Sequence, residues 1–450
     1  MSNSERSASD SSSTLTPMII IGVLFFVFGF VTWLNGALIP FLQIVAELNE
    51  FQALFVTFAF YIAYTLMALP SALVLRRTGY KRGMVIGLGV MVLGALTFIP
   101  AAQTSHYAVF LLALFVLGTG LTLLQTAANP YIVCIGPRES AAVRMSIMGL
   151  LNKAAGIVAP VVFTLWVLTG MDRFDEEVLK ALSEAERAAR LSELSNRMVV
   201  PYLYMAGALV ALMLFVHLSA LPELADSRGP EEDKLDRWGI LRFPQAILGS
   251  LALFTYVGVE VIAGDTIGLY GRRMDVSHFG SLTSYTMSFM VLGYILGVVL
   301  IPRYLSQARA LTGSALLGMV FSLGVIFGSA ESEWIATLMF GWLGIPVVPN
   351  TVMFLALLGL ANALCWPAIW PLSLSGLGKY TSVGSALLIM GLAGGALIPL
   401  AYGHFAETTG NQQAYWVMFP CYAYILFYAL KGHKLRRWGV QRLCKYSEQA

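Results

Sequence analysis

The chain is dominated by about twelve apolar blocks of roughly 18 to 28 residues, each long enough to cross a bilayer as a helix at 1.5 Å of rise per residue. Hydrocarbon offers no water to backbone N–H and C=O groups, so only helices and closed barrels span it. Barrel strands alternate polar and apolar side chains over about ten residues, and these blocks do not alternate. The fold class that follows is an all-α polytopic membrane protein with twelve transmembrane helices. Composition agrees, since 58% of the 450 residues are hydrophobic and 12% are charged, against about 25% charged in a soluble globular chain. A water-soluble enzyme is excluded.

The expected spans are Met18–Val45, Gln52–Leu75, Gly83–Ala101, Tyr107–Tyr131, Ala142–Leu168, Met198–Leu221, Phe243–Tyr270, Phe279–Ile301, Ala310–Ser329, Asn350–Leu374, Ser382–Phe405 and Ala414–Leu430. A further apolar block, Trp334–Val348, lies between the ninth and tenth. Two connections are long, Thr169–Arg197 and the charged stretch Pro222–Arg242. The second divides the chain into an N-terminal six-helix half (17–221), a linker (222–242) and a C-terminal six-helix half (243–430). A Ser-rich stretch (1–16) reads as a disordered tail, and 431–450 is a basic tail. Of the 28 Lys and Arg, twenty fall on the side of the N-terminus, seven on the opposite side and Lys153 inside a span. The positive-inside rule then places both termini in the cytoplasm. In Thr169–Arg197, LKALSEAERAARLSEL carries leucines on a helical period and reads as a short external amphipathic helix.

A weak internal echo accompanies the six-plus-six division. Asn152–Pro160 reads NKAAGIVAP in the fifth span, and Gly391–Pro399 reads GLAGGALIP at the equivalent place in the eleventh. Duplicated halves with a site between them near the midplane are a transporter plan. Small residues recurring at tight helix contacts are the alternative.

Charged side chains at the bilayer centre cost at least a few kcal/mol and mark function or a buried pair. Three qualify: Lys153, Glu260 and Asp265. Lys153 lies about 13 Å of helix rise beyond Arg144, too deep for its stem to carry the ammonium to water. Glu260 is about 18 Å before Arg272, whereas Asp265 is about 10 Å before it and within reach of the surface, which makes Glu260 the stronger candidate. Five residues at 100° each set the two carboxylates about 140° apart, so they should meet different partners. Gly258, Gly264 and Gly268 around them permit either bending or close helix contact, and a broken helix would free carbonyls to hold a cation. A Lys153–Glu260 pair that only locks the bundle is the structural alternative.

Neutral polar residues form a second set: Asn35, Gln125, Asn129, Asn152 and Asn362. Amides donate and accept without charge, which suits hydroxyl groups, and Trp33, Trp366 and Trp370 offer flat faces for a pyranose ring. Interhelical hydrogen bonding and an interfacial tryptophan belt are the competing readings. Cys134, Cys365, Cys421 and Cys444 have no CxxC spacing, and His106, His217, His278, His404 and His433 form no metal-spaced cluster. With no GxxxxGK[ST] and no nucleophile elbow, neither a nucleotide-driven pump nor an enzyme is expected, and no metal or cofactor is implied.

In FFVFGFVTWLNGALIPFLQ (Phe25–Gln43), LLQTAANPYIVCIGP (Leu123–Pro137), MGLLNKAAGIVAP (Met148–Pro160) and YVGVEVIAGDTIGLYG (Tyr256–Gly271), the chain resembles the fucose:proton symporter family, and most of all its glucose/galactose transporter branch. The resemblance implies the major facilitator fold and sugar transport. It also implies that Asn152 matches the family's substrate-region Asn. Two carboxylates of the fucose symporters are replaced, by Gly36 in the first span and Gln125 in the fourth, so coupling is expected to have moved to Glu260 or Asp265. The expectation is a cation-coupled hexose symporter in which Lys153, Glu260 and Asp265 handle a proton or sodium ion. Asn35, Gln125, Asn129, Asn152, Asn362 and the three tryptophans hold the sugar. A monomer with a sugar and the lipid bilayer as its partners, and no nucleic acid, completes that expectation. An uncoupled facilitator or exporter is the nearest rival, and a transporter-derived sugar sensor a more distant one.

Overall fold

The computed structural model describes residues 3–135, 141–169, 181–219, 221, 237–301 and 304–438, all helix, turn or coil with no strand among them. Eleven helices among these residues are long and apolar enough to cross a membrane. The twelfth span is assembled from Asn411–Ala414, Tyr415–Val417 and Met418–Leu430 in succession. The chain therefore has the twelve-helix bundle that its apolar blocks require. The end at which the first span begins is called proximal below, and the end at which it finishes distal.

Two spans divide a few residues before a proline. The first span divides at Leu34 into Asn3–Trp33 and Asn35–Val45. Pro40 cannot donate to the Gly36 carbonyl four residues earlier. That carbonyl faces the seventh span, where a Cβ on Gly268 would come within 2.7 Å of it. The tenth span divides in the same way into Asn350–Asn362 and Cys365–Leu374, because Pro367 leaves the Ala363 carbonyl without its helical donor. Residues 3–16, expected as a disordered tail, are instead helical and continuous with the first span. Extending an existing helix avoids the cost of nucleating one. Most of the linker (222–236) and the end of the basic tail (439–450) lie outside the described residues. The start of that tail docks on the bundle, with the Trp438 indole N–H donating to the Leu241 carbonyl at 2.6 Å.

The packing repeats. The first span packs on the fifth, the second and third on the fourth, and the third on the sixth; adding six to each number gives the pairings among spans seven to twelve. Across the middle, the second span packs on the eleventh and the fifth on the eighth, which are also exchanged by that rule. The echo between NKAAGIVAP and GLAGGALIP obeys the same symmetry. A Cβ on Gly156 would sit 2.8 Å from Trp33 of the first span and from Met287 of the eighth, while one on Gly395 would sit 3.1 Å from Val261 of the seventh and 2.9 Å from Tyr61 of the second. Glycine at both places is a space requirement of a pseudo-twofold core, as expected where small residues let helix backbones approach.

The block Trp334–Val348 forms only a short helix (Trp334–Phe340) and a turn, with Trp342 78% exposed, so it does not add a span. The amphipathic helix expected in the long distal connection is present as Glu184–Asn196. Ser183 and Glu186 close a capping box at its start, and Leu191 and Leu194 are buried beneath it.

Candidate functional site

The fifth and seventh spans bring two of the three buried charges together. Lys153 Nζ donates to Glu260 Oε1 at 2.7 Å, with the side chains only 10% and 9% exposed. The pair bridges the two halves near the middle of the fifth and seventh spans. Trp33 from the first span covers it, with the ammonium 4.2 Å from a ring centroid. The indole N–H donates to Asn152 Oδ1 at 3.3 Å, and the Asn152 amide reaches the Phe25 carbonyl at 3.4 Å. Lys153, Glu260, Asn152 and Trp33 are thus one cluster, and Tyr256, Tyr294 and Cys365 lie close enough to feel the Glu260 charge.

Asp265 stands apart. It is 0% exposed, so the reach to the surface expected from its distance to Arg272 is not realised. The spans packed around the seventh, namely the first, eighth, tenth, eleventh and twelfth, enclose it, and the Thr57 hydroxyl of the second span donates to Asp265 Oδ2 at 3.3 Å from across the interface. Asp265 Oδ1 has no hydrogen-bond partner. The divergence of about 140° holds, because one carboxyl meets the fifth span and the other the second. Of the two uses open to the glycines, bending is not taken: the seventh span runs unbroken from Pro244 to Arg273. Its glycines serve close packing instead, with Gly264 against the Trp33 ring and Gly258 against Ile398. Nearby carbonyls are occupied by hydroxyls, Ile262 by Thr266, Ala263 by Thr286 and Gly264 by Thr283.

The amides divide between two environments. Gln125 donates to the Tyr64 hydroxyl at 3.1 Å within the first half, and Asn129, one turn further on, is half-buried. Asn362 accepts from the Tyr422 hydroxyl at 2.8 Å, and its Nδ2 has no partner; Asn35 Nδ2 is likewise buried without one. Trp366 and Trp370 stack on each other at 5.3 Å and keep part of their surface exposed. Trp33 does not offer such a face, since it is 2% exposed and enclosed by Lys153, Gly156 and Gly264. In this state it orients Asn152 and Lys153 rather than presenting a platform for a ring. Thr57, Tyr61 and Tyr64 carried no signal in the sequence, because neutral hydroxyls are common in spans and only the opposing helix gives them a role.

At the distal end the halves are clasped. Arg272 Nη1 donates to Gln43 Oε1 at 2.8 Å, Arg273 Nε to Glu50 Oε1 at 2.6 Å, and Asn411 Nδ2 to the same Glu50 oxygen at 3.3 Å. Arg187 of the distal helix pairs with Glu47 beside them. These contacts lie on the distal side of Asp265 and the Lys153–Glu260 pair, and those of Gln43 and Glu50 join the halves there.

Residues 20–399 match the Major Facilitator Superfamily. A glucose/galactose transporter of Brucella abortus is 33% identical over 92% of this chain and 93% of its own length. The L-fucose-proton symporter of Escherichia coli is 26% identical over 94% of this chain and 95% of its own length. A crystal structure of FucP in the outward conformation superposes with a TM-score of 0.71 at 25% identity, covering 93% of this chain and 98% of that one. With the repeated helix pairings and the site between the halves, these likenesses establish that the chain belongs to the Major Facilitator Superfamily.

Proposed function

We propose that the protein is a secondary active sugar transporter that takes up a hexose such as glucose or galactose together with a cation, proton or sodium, by alternating access. The observation that carries this reading is the inter-half cluster. A buried ion pair spans the interface that must open and close, and Asn152 lies beside it on the same turn of helix. Rocking of the halves would separate Lys153 from Glu260 and Thr57 from Asp265, so the protonation or ion occupancy of the carboxyls is tied to conformation. The names carried by the relatives, glucose/galactose transporter and L-fucose-proton symporter, support sugar as the solute class. Asn35, Gln125, Asn129, Asn152 and Asn362 supply amides for its hydroxyls, and Trp366 and Trp370 keep exposed aromatic surface for its apolar face.

In this reading the distal end faces outward, both termini are cytoplasmic, the membrane is the bacterial inner membrane and the working unit is a monomer. The state described here is closed to the outside by the Glu50 and Arg272–Arg273 contacts. The test is uptake of labelled glucose, galactose and fucose into sealed vesicles, with proton and sodium gradients imposed separately. Accumulation above the outside concentration under one gradient is the expected result. The Lys153–Glu260 pair favours one rival, an uncoupled facilitator in which the charges only lock the bundle; equilibration without accumulation under every gradient would select it.

A further inference from the structure

We propose that the co-transported cation is a proton and that Asp265 carries it, with Thr57 of the opposing half as a positioning residue that seals the loaded carboxyl. The proposal rests on the reading of the chain as a cation-coupled sugar transporter and assigns the coupling within it. Asp265 is buried from water on all sides, with a single hydroxyl donor at 3.3 Å on one oxygen and none on the other. An ionised carboxylate so placed would lack both solvent and donors, a cost that a neutral acid largely avoids. Lys153 relieves it only in part, because it is held at 2.7 Å by Glu260, whose own charge opposes that of Asp265.

The groups facing Asp265 from the elements around it do not change this balance. The second span adds Thr57 and Tyr61, whose phenol lies in the field of both carboxyls. The seventh span itself adds Glu260 and the fifth Lys153, already paired with each other. The eighth, eleventh and twelfth spans add uncharged hydroxyls: Thr283 and Thr286 are bonded to carbonyls of the seventh, Tyr415 is bonded to Thr266, and Tyr402 packs on Tyr415, while His404 and Glu407 of the eleventh are exposed. The distal half of the first span, NGALIPFLQIV, has no charged residue.

The same census argues against sodium. Hard cations need several converging oxygens, and the carbonyls of Ile262, Ala263 and Gly264 are each engaged by a threonine hydroxyl. With the distal clasp open, Asp265 would meet water about 7 Å of helix rise beyond Glu260 and take up its proton there. Closure brings Thr57 over it. Glu260 is then the partner that holds Lys153 away from Asp265, and the proton stays on Asp265 until the other side hydrates it.

The experiment uses the full chain in proteoliposomes, with whichever of glucose, galactose or fucose the wild type accumulates. An imposed proton gradient should drive concentrative uptake, and a sodium gradient at equal pH should not. Asp265→Asn, which imitates the protonated acid, should lose accumulation by at least about tenfold while part of its sugar counterflow survives and no longer depends on external pH. Concentrative uptake by Asp265→Asn, or sodium-driven uptake by the wild type, would overturn the proposal. Should Asp265→Asn fail to fold, Asp265→Glu and Thr57→Val decide: each should shift the external-pH profile of uptake, and wild-type profiles in both would refute the assignment. A wild type that concentrates no hexose under any gradient would instead remove the transport reading on which this one stands.

Discussion

At the scale of single residues, Lys153 and Glu260 illustrate how a buried charge is tolerated. Taking either ion out of water is costly, and the mutual bond at 2.7 Å repays that cost only while both are present. Lys153→Met or Glu260→Gln alone should therefore destabilise the purified protein by about 3 to 5 kcal/mol, whereas the double change should recover most of the loss. Thermal unfolding in detergent measures this, and a double variant as unstable as the sum of the singles would show that the groups do not interact. Asn152 is a different case, because its amide is part-buried and bonded only at 3.3 and 3.4 Å, so it can exchange those partners for hydroxyls. Asn152→Ala should weaken equilibrium sugar binding by about 1 to 3 kcal/mol, roughly 5- to 150-fold in Kd. Wild-type affinity in a binding titration would take Asn152 out of the sugar site.

At the scale of helices, the contacts are set by what is missing from glycine. A Cβ on Gly29 would lie 1.9 Å from the Asn152 carbonyl oxygen, and one on Gly394 would lie 1.8 Å from that of Phe254. The first and fifth spans, and by the same rule the seventh and eleventh, thus touch backbone to backbone. Gly29→Val should force the first span away from the fifth at a cost of about 1 to 3 kcal/mol, and would move Trp33 and Asn152 with it. A lower unfolding temperature together with weaker sugar binding is the expected outcome; loss of neither would mean that the contact yields freely. The distal helix Glu184–Asn196 depends on a cap instead. Hydrogen bonds from the Ser183 hydroxyl and N–H hold the Glu186 carboxyl below its ordinary value of 4.5. A lowered carboxyl contributes its full stabilisation above the ordinary value and loses it as pH falls through the lowered one. Amide exchange in the first turn of this helix should accelerate as pH is taken below that range, relative to the intrinsic rate, and a Ser183→Ala variant should show the faster exchange already at neutral pH.

At the scale of the whole molecule, two of the polar contacts that join the halves at the distal end converge on Glu50. Its Oε1 receives both Arg273 and Asn411, and its carboxyl is buried. Removing it leaves two donors from the second half without an acceptor in the first, and the closed state loses a clasp that the open state does not use. Glu50→Ala should raise the accessibility of the distal interface, read as faster thiol labelling of a cysteine placed at Thr57, with helix content unchanged. Labelling at the wild-type rate would show that packing alone holds the distal end shut.

Much of this was legible in the chain itself, for a physical reason. The bilayer demands an uninterrupted apolar helix of fixed length, so the number and order of the spans are written locally, block by block, and the cost of a charge in hydrocarbon makes Lys153, Glu260 and Asp265 visible as exceptions. Glycine and proline in NKAAGIVAP and GLAGGALIP also carry the repeat, because a tight contact forbids a larger side chain wherever it recurs. What the spans do to one another was not written there. Asp265 looked close enough to the surface to be solvated, and only the spans packed around the seventh, with Thr57 of the second reaching its carboxyl, make it the driest of the three charges. The glycines of the seventh span allowed either bending or close contact, and only the helices packed on them show that they serve contact. Glu50 and Arg273 looked like ordinary loop charges until the fold placed them face to face. Span identity depends on each residue's own transfer from water to lipid, which sequence alone determines. The partners of a buried polar atom depend on which helices lie across from it, and that only the tertiary structure decides.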